Sequence, residues 1–263
     1  MIRVLSMIAL AGFFLSVVCI TAAVALGGPE LITSAAWGWT GRGVDVHWTH
    51  TGPYAGPETT RELPWKGGET LVVQIPADVT FTQADGPPRL VVRGPKDAIE
   101  GLVLDQSMIA PRDVREGQDT RRIYRDAGIS IELTAPRVTT FQTYDSGKLD
   151  IRNYHQDRLH IGAFGSRDVT VDGAARRLDL IMNGSDHVDL SHLALDEAAV
   201  NLQGSGQATL APKSWARLDV SGSGEVTLGR KPKQLQTNVT GSGHITLPDA
   251  GGEASEADSG QPT

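Results

Sequence analysis

The chain has 263 residues and a formal net charge of −7, and it combines 30 glycines with only 5% aromatic residues. This length is enough to bury a sizeable core, and so many glycines at ordinary hydrophobicity indicate short β-strands joined by tight turns. The acidic balance excludes a nucleic-acid partner, because phosphate contacts need a basic surface that this composition lacks.

The first 27 residues (1–27) are predicted to be a targeting or anchoring segment. After Arg3, residues 4–26 carry no charged side chain. The A-V-A pattern that ends at Ala25 is typical of a secretory signal peptide cut at that point, whereas the length of the apolar run also suits an uncleaved anchor in the inner membrane. Both interpretations export the rest of the chain to the periplasm or the cell envelope. The single cysteine, Cys19, lies in this segment, which excludes a disulfide framework.

A linker is predicted over residues 28–62, where glycine and proline recur, with one short strand near residues 44–48. The tryptophans between Trp37 and Trp48 alternate with polar residues. This pattern fits either such a strand or an aromatic interfacial patch, so the role of the region from Trp37 to Trp48 stays open.

From residue 63 onward, apolar and polar side chains alternate in the manner of β-strands. The apolar members are Leu71, Val73 and Ile75, then Val79 and Phe81, then Leu90 and Val92. The segment "DAIEGLVLDQSMI", which begins at Asp97, fits a short helix or a further strand. The charged run from Gln118 to Arg125 is predicted to be a loop, and residues 129–133 return to a strand pattern.

A repeat of 18 to 20 residues dominates the second half of the chain. One serine marks each unit, and the steps of 20, 19, 20, 18 and 19 residues separate Ser146, Ser166, Ser185, Ser205, Ser223 and Ser242. The third and fifth residues after every serine are aliphatic. The third and fifth residues before every serine are mostly apolar. Because alternate positions of a strand share a face, each unit is predicted to be two inward-facing strands joined at a Gly-Ser corner.

One such unit has too few aliphatic residues to be stable, whereas stacked units bury a continuous apolar column. The repeat therefore predicts an all-β fold, a parallel β-solenoid (β-helix) of about 18–20 residues per coil over residues 63–248, with additional N-terminal strands. Glycine at each corner permits positive φ. The serines are expected to form one stacked column whose hydroxyls can bond neighbouring coils.

The units "GSGQATL", "GSGEVTL" and "GSGHITL", preceded by "LVVQIPADVTF" and "ISIELTAPRVTTF", resemble the head GIN domain family of putative auto-transporter adhesins. The resemblance covers about Leu63 to Leu247 and is strongest over the last three coils, since "YDSGKLDI" and "FGSRDVTV" have drifted. It implies a β-solenoid in an exported bacterial protein, and the family's name suggests adhesion. No catalytic residue accompanies the motif.

Two columns of side chains are predicted to face outward after the corner serines. The second residues are Lys148, Asp168, His187, Gln207, Glu225 and His244, and the fourth are Asp150, Thr170, Asp189, Thr209, Thr227 and Thr246. Strand propensity explains the threonines, although flat polar ladders can also dock ice, glycans or a sheet edge.

Asp168 and Asp189 should lie roughly 8 Å apart on adjacent coils, within the range of an inverting glycosidase pair. Any charged ladder produces such pairs, and no aromatic groove for sugar stacking is expected beside this one.

No metal, cofactor or catalytic site is predicted. Metal ligands must converge on one point, and the histidines do not share a column of the repeat: His155, His160, His187 and His192. The sequence also lacks a calcium-binding repeat, a Walker loop and a G-x-S-x-G elbow.

The sequence favours a non-catalytic, exported binding or structural module of the bacterial cell envelope, adhesin-like, with a glycan or another envelope protein as partner. The alternative is a polysaccharide-active solenoid enzyme, a hydrolase or lyase that uses Asp168 and Asp189. Membrane contact through residues 4–26 depends on whether that segment is cleaved. Residues 249–263 are predicted to be a disordered acidic tail, because they cannot bury enough surface to offset the entropy of ordering. The ligand, the handedness and the oligomeric state stay open.

Overall fold

The computed structural model describes residues 56–66, 68–112, 124 and 127–248. The predictions for the N-terminal segment, for the strand near residues 44–48, for the loop at residues 118–125 apart from Tyr124, and for the tail at residues 249–263 lie outside the described residues. Within the described part of the chain, no helix is long and apolar enough to cross a membrane.

Short strands and one helix make up the first part of the fold. They are β1 (Glu58–Leu63), β2 (Thr70–Val73), β3 (Asp78–Gln83), β4 (Arg89–Pro95), α1 (Lys96–Glu100), β5 (Leu102–Asp105), β6 (Met108–Pro111) and β7 (Ser130–Ala135). The segment that begins at Asp97, for which both a helix and a strand were open, contains both. It supplies most of α1, and the strands β5 and β6 follow. The sheet begins at Glu58, inside the range predicted to be a linker.

The second part consists of strands alone. They are β8 (Thr140–Gly184), β9 (His187–Asp189), β10 (Leu193–Gly204), β11 (Gln207–Leu210), β12 (Pro212–Gly222), β13 (Glu225–Leu228), β14 (Gln234–Gly241) and β15 (His244–Thr246). The long β8 is not one straight strand, because it contains positive φ angles at Asp145, Asn153 and Gly165.

Two parallel ladders form the walls of a β-solenoid. In the post-corner ladder, the strands that follow the corner serines pair in the order β8, β9, β11, β13 and β15. In the pre-corner ladder, the strands that precede the serines pair in the order β8, β10, β12 and β14. The paired residues Asp168, His187, Gln207, Glu225 and His244 lie 19, 20, 18 and 19 positions apart. The predicted solenoid and its period are confirmed.

The core is the apolar column between the two ladders. Of the twelve aliphatic residues at the third and fifth positions after the serines, ten are at most 2% exposed, and the other two, Ile245 and Leu247, belong to the last coil. The upstream strands extend the column, since β2 pairs with residues 140–143 of β8 and β3 pairs with residues 149–152.

Glycines at the corners allow adjacent coils to approach closely. Gly184, Gly204, Gly222 and Gly241 lie in register, with φ between 108° and 141°. The backbone N–H of each following serine donates to the glycine carbonyl of the preceding coil at 2.8–2.9 Å. The four serines from Ser185 to Ser242 therefore stack as predicted, and backbone groups make this contact between coils.

Candidate functional site

Asp168 and Asp189 occupy the outward positions expected from the repeat. Asp168 pairs with His187 and Thr170 pairs with Asp189, so the two carboxylates lie on adjacent coils and two positions apart. The Ser191 N–H donates to Asp189 Oδ1 at 2.9 Å, and this hydrogen bond lowers the pKa of the Asp189 carboxyl. The general acid of a glycosidase needs the opposite shift, so Asp189 is unsuited to that role.

The four histidines do not converge. His155 and His160 lie on β8, His187 lies on β9, and His192 stands just before β10. The His155 Nδ1 contacts the backbone carbonyl of Asn153, two residues earlier in the chain, at 3.0 Å. Over the residues that the structure describes, no group of three histidine, cysteine, aspartate or glutamate side chains could hold a metal ion.

A buried arginine and a buried aspartate replace glycine at two corners. In successive coils, the residue after the corner serine is Gly147, Arg167, Asp186, Gly206, Gly224 and Gly243. Arg167 and Asp186 are each 1% exposed. The Arg167 guanidinium donates at 2.9–3.0 Å to the carbonyls of Ala77, Ser146 and Lys148. The Arg167 backbone N–H donates to Asp186 Oδ1 at 2.9 Å. Because the wall of the solenoid encloses both side chains, they connect coils and are inaccessible to a ligand.

Arg167→Met is expected to lower the free energy of unfolding at pH 7 by about 3 kcal/mol, because three carbonyls lose a donor and Asp186 loses a positive neighbour. The control is Arg152→Met, which removes an exposed ion pair with Asp150 and should cost at most about 1 kcal/mol. Urea unfolding followed by circular dichroism measures both losses. Equal losses would contradict a structural role for Arg167.

The loss caused by Arg167→Met should also depend on pH. Burial lowers the pKa of Arg167 to about 10 and raises the pKa of the Asp186 carboxyl. A carboxyl whose pKa rises on folding stabilises the fold below its unfolded pKa, about 3.9 for aspartate, and that contribution is lost as pH rises through the folded pKa. Removing Arg167 should raise the pKa of Asp186 further, so the variant should recover part of its lost stability at acidic pH.

An outward row of the pre-corner ladder places an aromatic side chain among charged and polar ones. Arg177 pairs with Glu197, Glu197 pairs with Trp215, and Trp215 pairs with Gln234. Each of these residues stands eight positions before a corner serine. Trp215 is half-buried, so part of its indole reaches solvent.

A β-bulge positions Trp215. The strands β10 and β12 pair as Leu195 with Pro212 and then as Glu197 with Trp215, so β12 advances three residues where β10 advances two. A bulge of this kind bends its strand and redirects the adjacent side chains. Ser214 and Trp215 consequently line the same depression in the surface.

This depression, which we call the Trp215 groove, is open to solvent and has a volume of about 620 Å³. Its lining residues are Arg177, Asp179, Glu197, Ala199, Ser214, Trp215, Lys233 and Gln234. The two cationic side chains balance the two carboxylates, so the groove carries no net charge. The small side chain of Ala199 leaves space within it.

Arg177 and Glu197 form an ion pair in the groove. The Arg177 Nε donates to Glu197 Oε2 at 2.9 Å, and this hydrogen bond raises the pKa of Arg177. The two side chains are 44% and 27% exposed, so the pair adds little to stability. Both groups can therefore form hydrogen bonds with a ligand at low cost.

A second groove continues along the same face of the solenoid. Asp179 and Ala199 line both grooves, and the second, with a volume of about 350 Å³, reaches Ile181, Asn201 and Arg217. Ile181 is 38% exposed, which is unusual for a large apolar side chain in this fold. The two grooves together form a strip of mixed polar and apolar side chains that crosses several coils, with Trp215 and Ile181 as its large apolar contacts.

The sequence contained a signal for the Trp215 groove that the repeat analysis did not use. In the neighbouring coils the position eight residues before the corner serine is arginine, glutamate or glutamine, and it is tryptophan only at Trp215. The bulge in β12 hides the equivalence of Trp215 with these residues when positions are counted forward from the end of β11, because β12 has one extra residue before Trp215. Trp215 also lies on the ladder opposite to Asp168 and Asp189, so those carboxylates and the indole belong to different faces.

Comparison with known proteins supports the resemblance stated from the repeats. Residues 126–232 match the family model described as "Putative auto-transporter adhesin, head GIN domain". This match is shorter than the range from Leu63 to Leu247 over which the motifs resemble the family. No curated protein matches the chain at a significant level.

One solved structure with a TM-score above 0.5 shares the fold, and two further structures show a weaker similarity. A putative adhesin from Bacteroides fragilis has a TM-score of 0.57 and 17% identity, covering 73% of this chain and 97% of its own. A putative lipid binding protein from Parabacteroides distasonis has a TM-score of 0.40 and 16% identity, with coverage of 74% and 98%. A putative adhesin from Parabacteroides merdae has a TM-score of 0.42 and 12% identity, with coverage of 74% and 97%. Residues 126–232 of this chain are thus similar to the head GIN domain family of putative auto-transporter adhesins.

Proposed function

We propose that this protein is an exported, non-enzymatic binding module of the bacterial cell envelope, and that it holds a neutral glycan in the Trp215 groove. The family description and the expected N-terminal export segment support the location and the binding role. The observation that carries the glycan assignment is the row of Arg177, Glu197, Trp215 and Gln234.

The chemistry of the groove fits a polyhydroxylated ligand. An indole offers a flat apolar face for the C–H surface of a sugar ring. The guanidinium of Arg177 and the amide of Gln234 can donate to hydroxyl oxygens, and the carboxylates of Asp179 and Glu197 can accept from hydroxyl groups. A volume of about 620 Å³ lies within the usual range of small-ligand sites. The balanced charge favours a neutral glycan over an anionic polymer.

The groove is built for retention rather than for cleavage. Glycoside hydrolysis needs a carboxyl that stays protonated near neutral pH, which requires an enclosed site. Asp179 is exposed, and Glu197 is paired with Arg177. An open groove gives modest affinity for one site, and many copies displayed on a cell surface would add avidity.

The test measures the retention of the exported protein on immobilised polysaccharides, a neutral β-glucan, chitin and polygalacturonate. We expect retention on a neutral glycan and little on the anionic polymer. Trp215→Ala should weaken that retention about tenfold or more, since aromatic anchors in binding sites are typically worth above 1.4 kcal/mol. Phe164→Ala is the matched control, because Phe164 is a half-buried aromatic residue of the same ladder that stacks on Tyr144 outside the groove.

Two results would contradict the proposal. Trp215→Ala binding as tightly as the unchanged protein would place the ligand elsewhere. Release of reducing sugar that disappears in the double variant Asp168→Asn with Asp189→Asn would favour the enzyme alternative. Circular dichroism of each variant establishes that the fold is retained.

A further inference from the structure

Among the residues that the structure describes, no further strand covers the apolar side of the last coil. The strands β14 and β15 each pair with one neighbour only in the described part of the chain. Val239 is 42% exposed and Leu247 is 39% exposed, and they are two of three large apolar side chains exposed to this degree among the described residues. In the preceding coil, the equivalent Val220 and Leu228 are at most 2% exposed.

The last coil also lacks the features that usually protect an edge strand. Edge strands are normally blocked by charged side chains, proline or a bulge. Residues 234–247 have the sequence "QLQTNVTGSGHITL", which contains no aspartate, glutamate, lysine, arginine or proline. The preceding coil contains Arg217, Asp219 and Glu225. An uncharged edge with exposed apolar residues is a surface that another strand can extend.

The opposite end of the solenoid is built differently from the last coil. There the parallel ladder ends at β7, which pairs antiparallel with β4, and β4 pairs antiparallel with β1. On the other ladder, β2 pairs with β6, which pairs antiparallel with β5. Because this end differs from the last coil in strand direction and sequence, the two ends do not match for head-to-tail stacking.

The residues that follow the last coil do not suit it as a cover. Residues 249–263 have the sequence "DAGGEASEADSGQPT", with four acidic residues and no aliphatic side chain larger than alanine. Such a segment could not replace the apolar contacts that each inner coil receives from the next one. The coils at Ser205 and Ser223 are each followed by a further coil with the Gly-Ser-Gly motif, so a coil of the same sequence is the matching chemistry.

We propose that the last coil is the contact surface of a two-fold symmetric dimer of this chain. A two-fold axis makes paired strands antiparallel, so β14 and β15 of one copy pair with the same strands of the other copy. No like charges meet across this contact, and Val239, Ile245 and Leu247 become buried. Because the contact uses one end only, the assembly closes as a dimer and does not grow into a fibre.

The test is sedimentation velocity of the purified, exported protein over a wide range of protein concentrations. Val239→Lys is expected to weaken the dimer by about a hundredfold or more, because it places unpaired charges in a desolvated contact. Thr237→Glu, of opposite charge on the same strand, should act in the same way. Ile181→Lys is the matched control, since Ile181 is similarly exposed (38%) but lies away from the last coil, and it should remain dimeric.

The proposal is overturned if the unchanged protein is monomeric throughout, or if both Val239→Lys and Thr237→Glu remain dimeric. Thermal unfolding of each variant shows that a monomer is folded, because these positions are exposed in the free chain. The test is independent of the glycan site. Trp215→Ala should lose glycan retention and keep the dimer, whereas Val239→Lys should lose the dimer and keep binding to a single site.

Discussion

Leu228→Asp is expected to lower the free energy of unfolding by about 4 kcal/mol or more, which is a large share of the stability of a typical domain. Leu228 is 1% exposed and pairs with Leu210 in the post-corner ladder. The aspartate would have no ion partner in an apolar column. The protein would have to bury an unpaired charge, protonate it at a cost, or separate the last coils.

Thr227→Asp is the control for Leu228→Asp. Thr227 is the adjacent residue of β13 and faces outward, between Thr209 and Thr246. The same carboxylate at this position stays in contact with water, so the expected loss is about 0.5 kcal/mol or less. Urea unfolding of both variants gives the comparison. If the two variants unfolded at the same urea concentration, the assignment of inward and outward positions in β13 would be wrong by one residue.

Gly204→Ala is expected to cost about 4 kcal/mol, although it adds a single methyl group. Gly204 has a φ angle of 116°, which L side chains rarely adopt, and an added Cβ would lie 2.4 Å from the carbonyl oxygen of Gly184. That oxygen accepts the Ser205 N–H at 2.9 Å. The methyl group would therefore force two coils apart at a point where they share a backbone hydrogen bond.

Gly229→Ala separates this effect from the general cost of replacing glycine. Gly229 lies after β13, is exposed, and an added Cβ would be 3.4 Å from Ala211 Cβ, an ordinary contact. We expect its stability to change by about 0.5 kcal/mol or less. Thermal unfolding by circular dichroism compares the two variants. A Gly204→Ala protein as stable as Gly229→Ala would show that the corners tolerate a side chain and that coil spacing there is not close.

Periodicity in the sequence was sufficient for the fold and for most of the core. The spacing of the corner serines predicted the pairing of Asp168 with His187 and of Gln207 with Glu225, because a solenoid repeats the same local geometry in each coil. The alternation of residues such as Val226 and Leu228 predicted burial for the same reason. Both features depend on positions close together in the sequence.

The two buried charged residues at the corners, Arg167 and Asp186, could not be interpreted from the repeat period. Arg167 and Asp186 occupy a glycine position, and the sequence alone marks them only as departures from the motif. Their partners include the carbonyl of Ala77, which is 90 residues away from Arg167 along the chain. A contact between the first coils and the repeat depends on how the upstream strands stack, and the repeat period does not contain that information.

The candidate site was harder to predict than the fold. By itself, the sequence determined a parallel β-solenoid, its period and its inward column, because these follow from local alternation and from glycine at fixed intervals. Counting back from the corner serines places Trp215 in one row with Arg177 and Glu197, but only the tertiary structure showed that these side chains line one open groove, because the shape of the surface beside them depends on the bulge in β12 and on residues of other coils. Only the tertiary structure showed that, within residues 56–248 as far as they are described, the last coil has a strand neighbour on one side only, because exposure depends on which neighbours a strand receives and not on its own sequence.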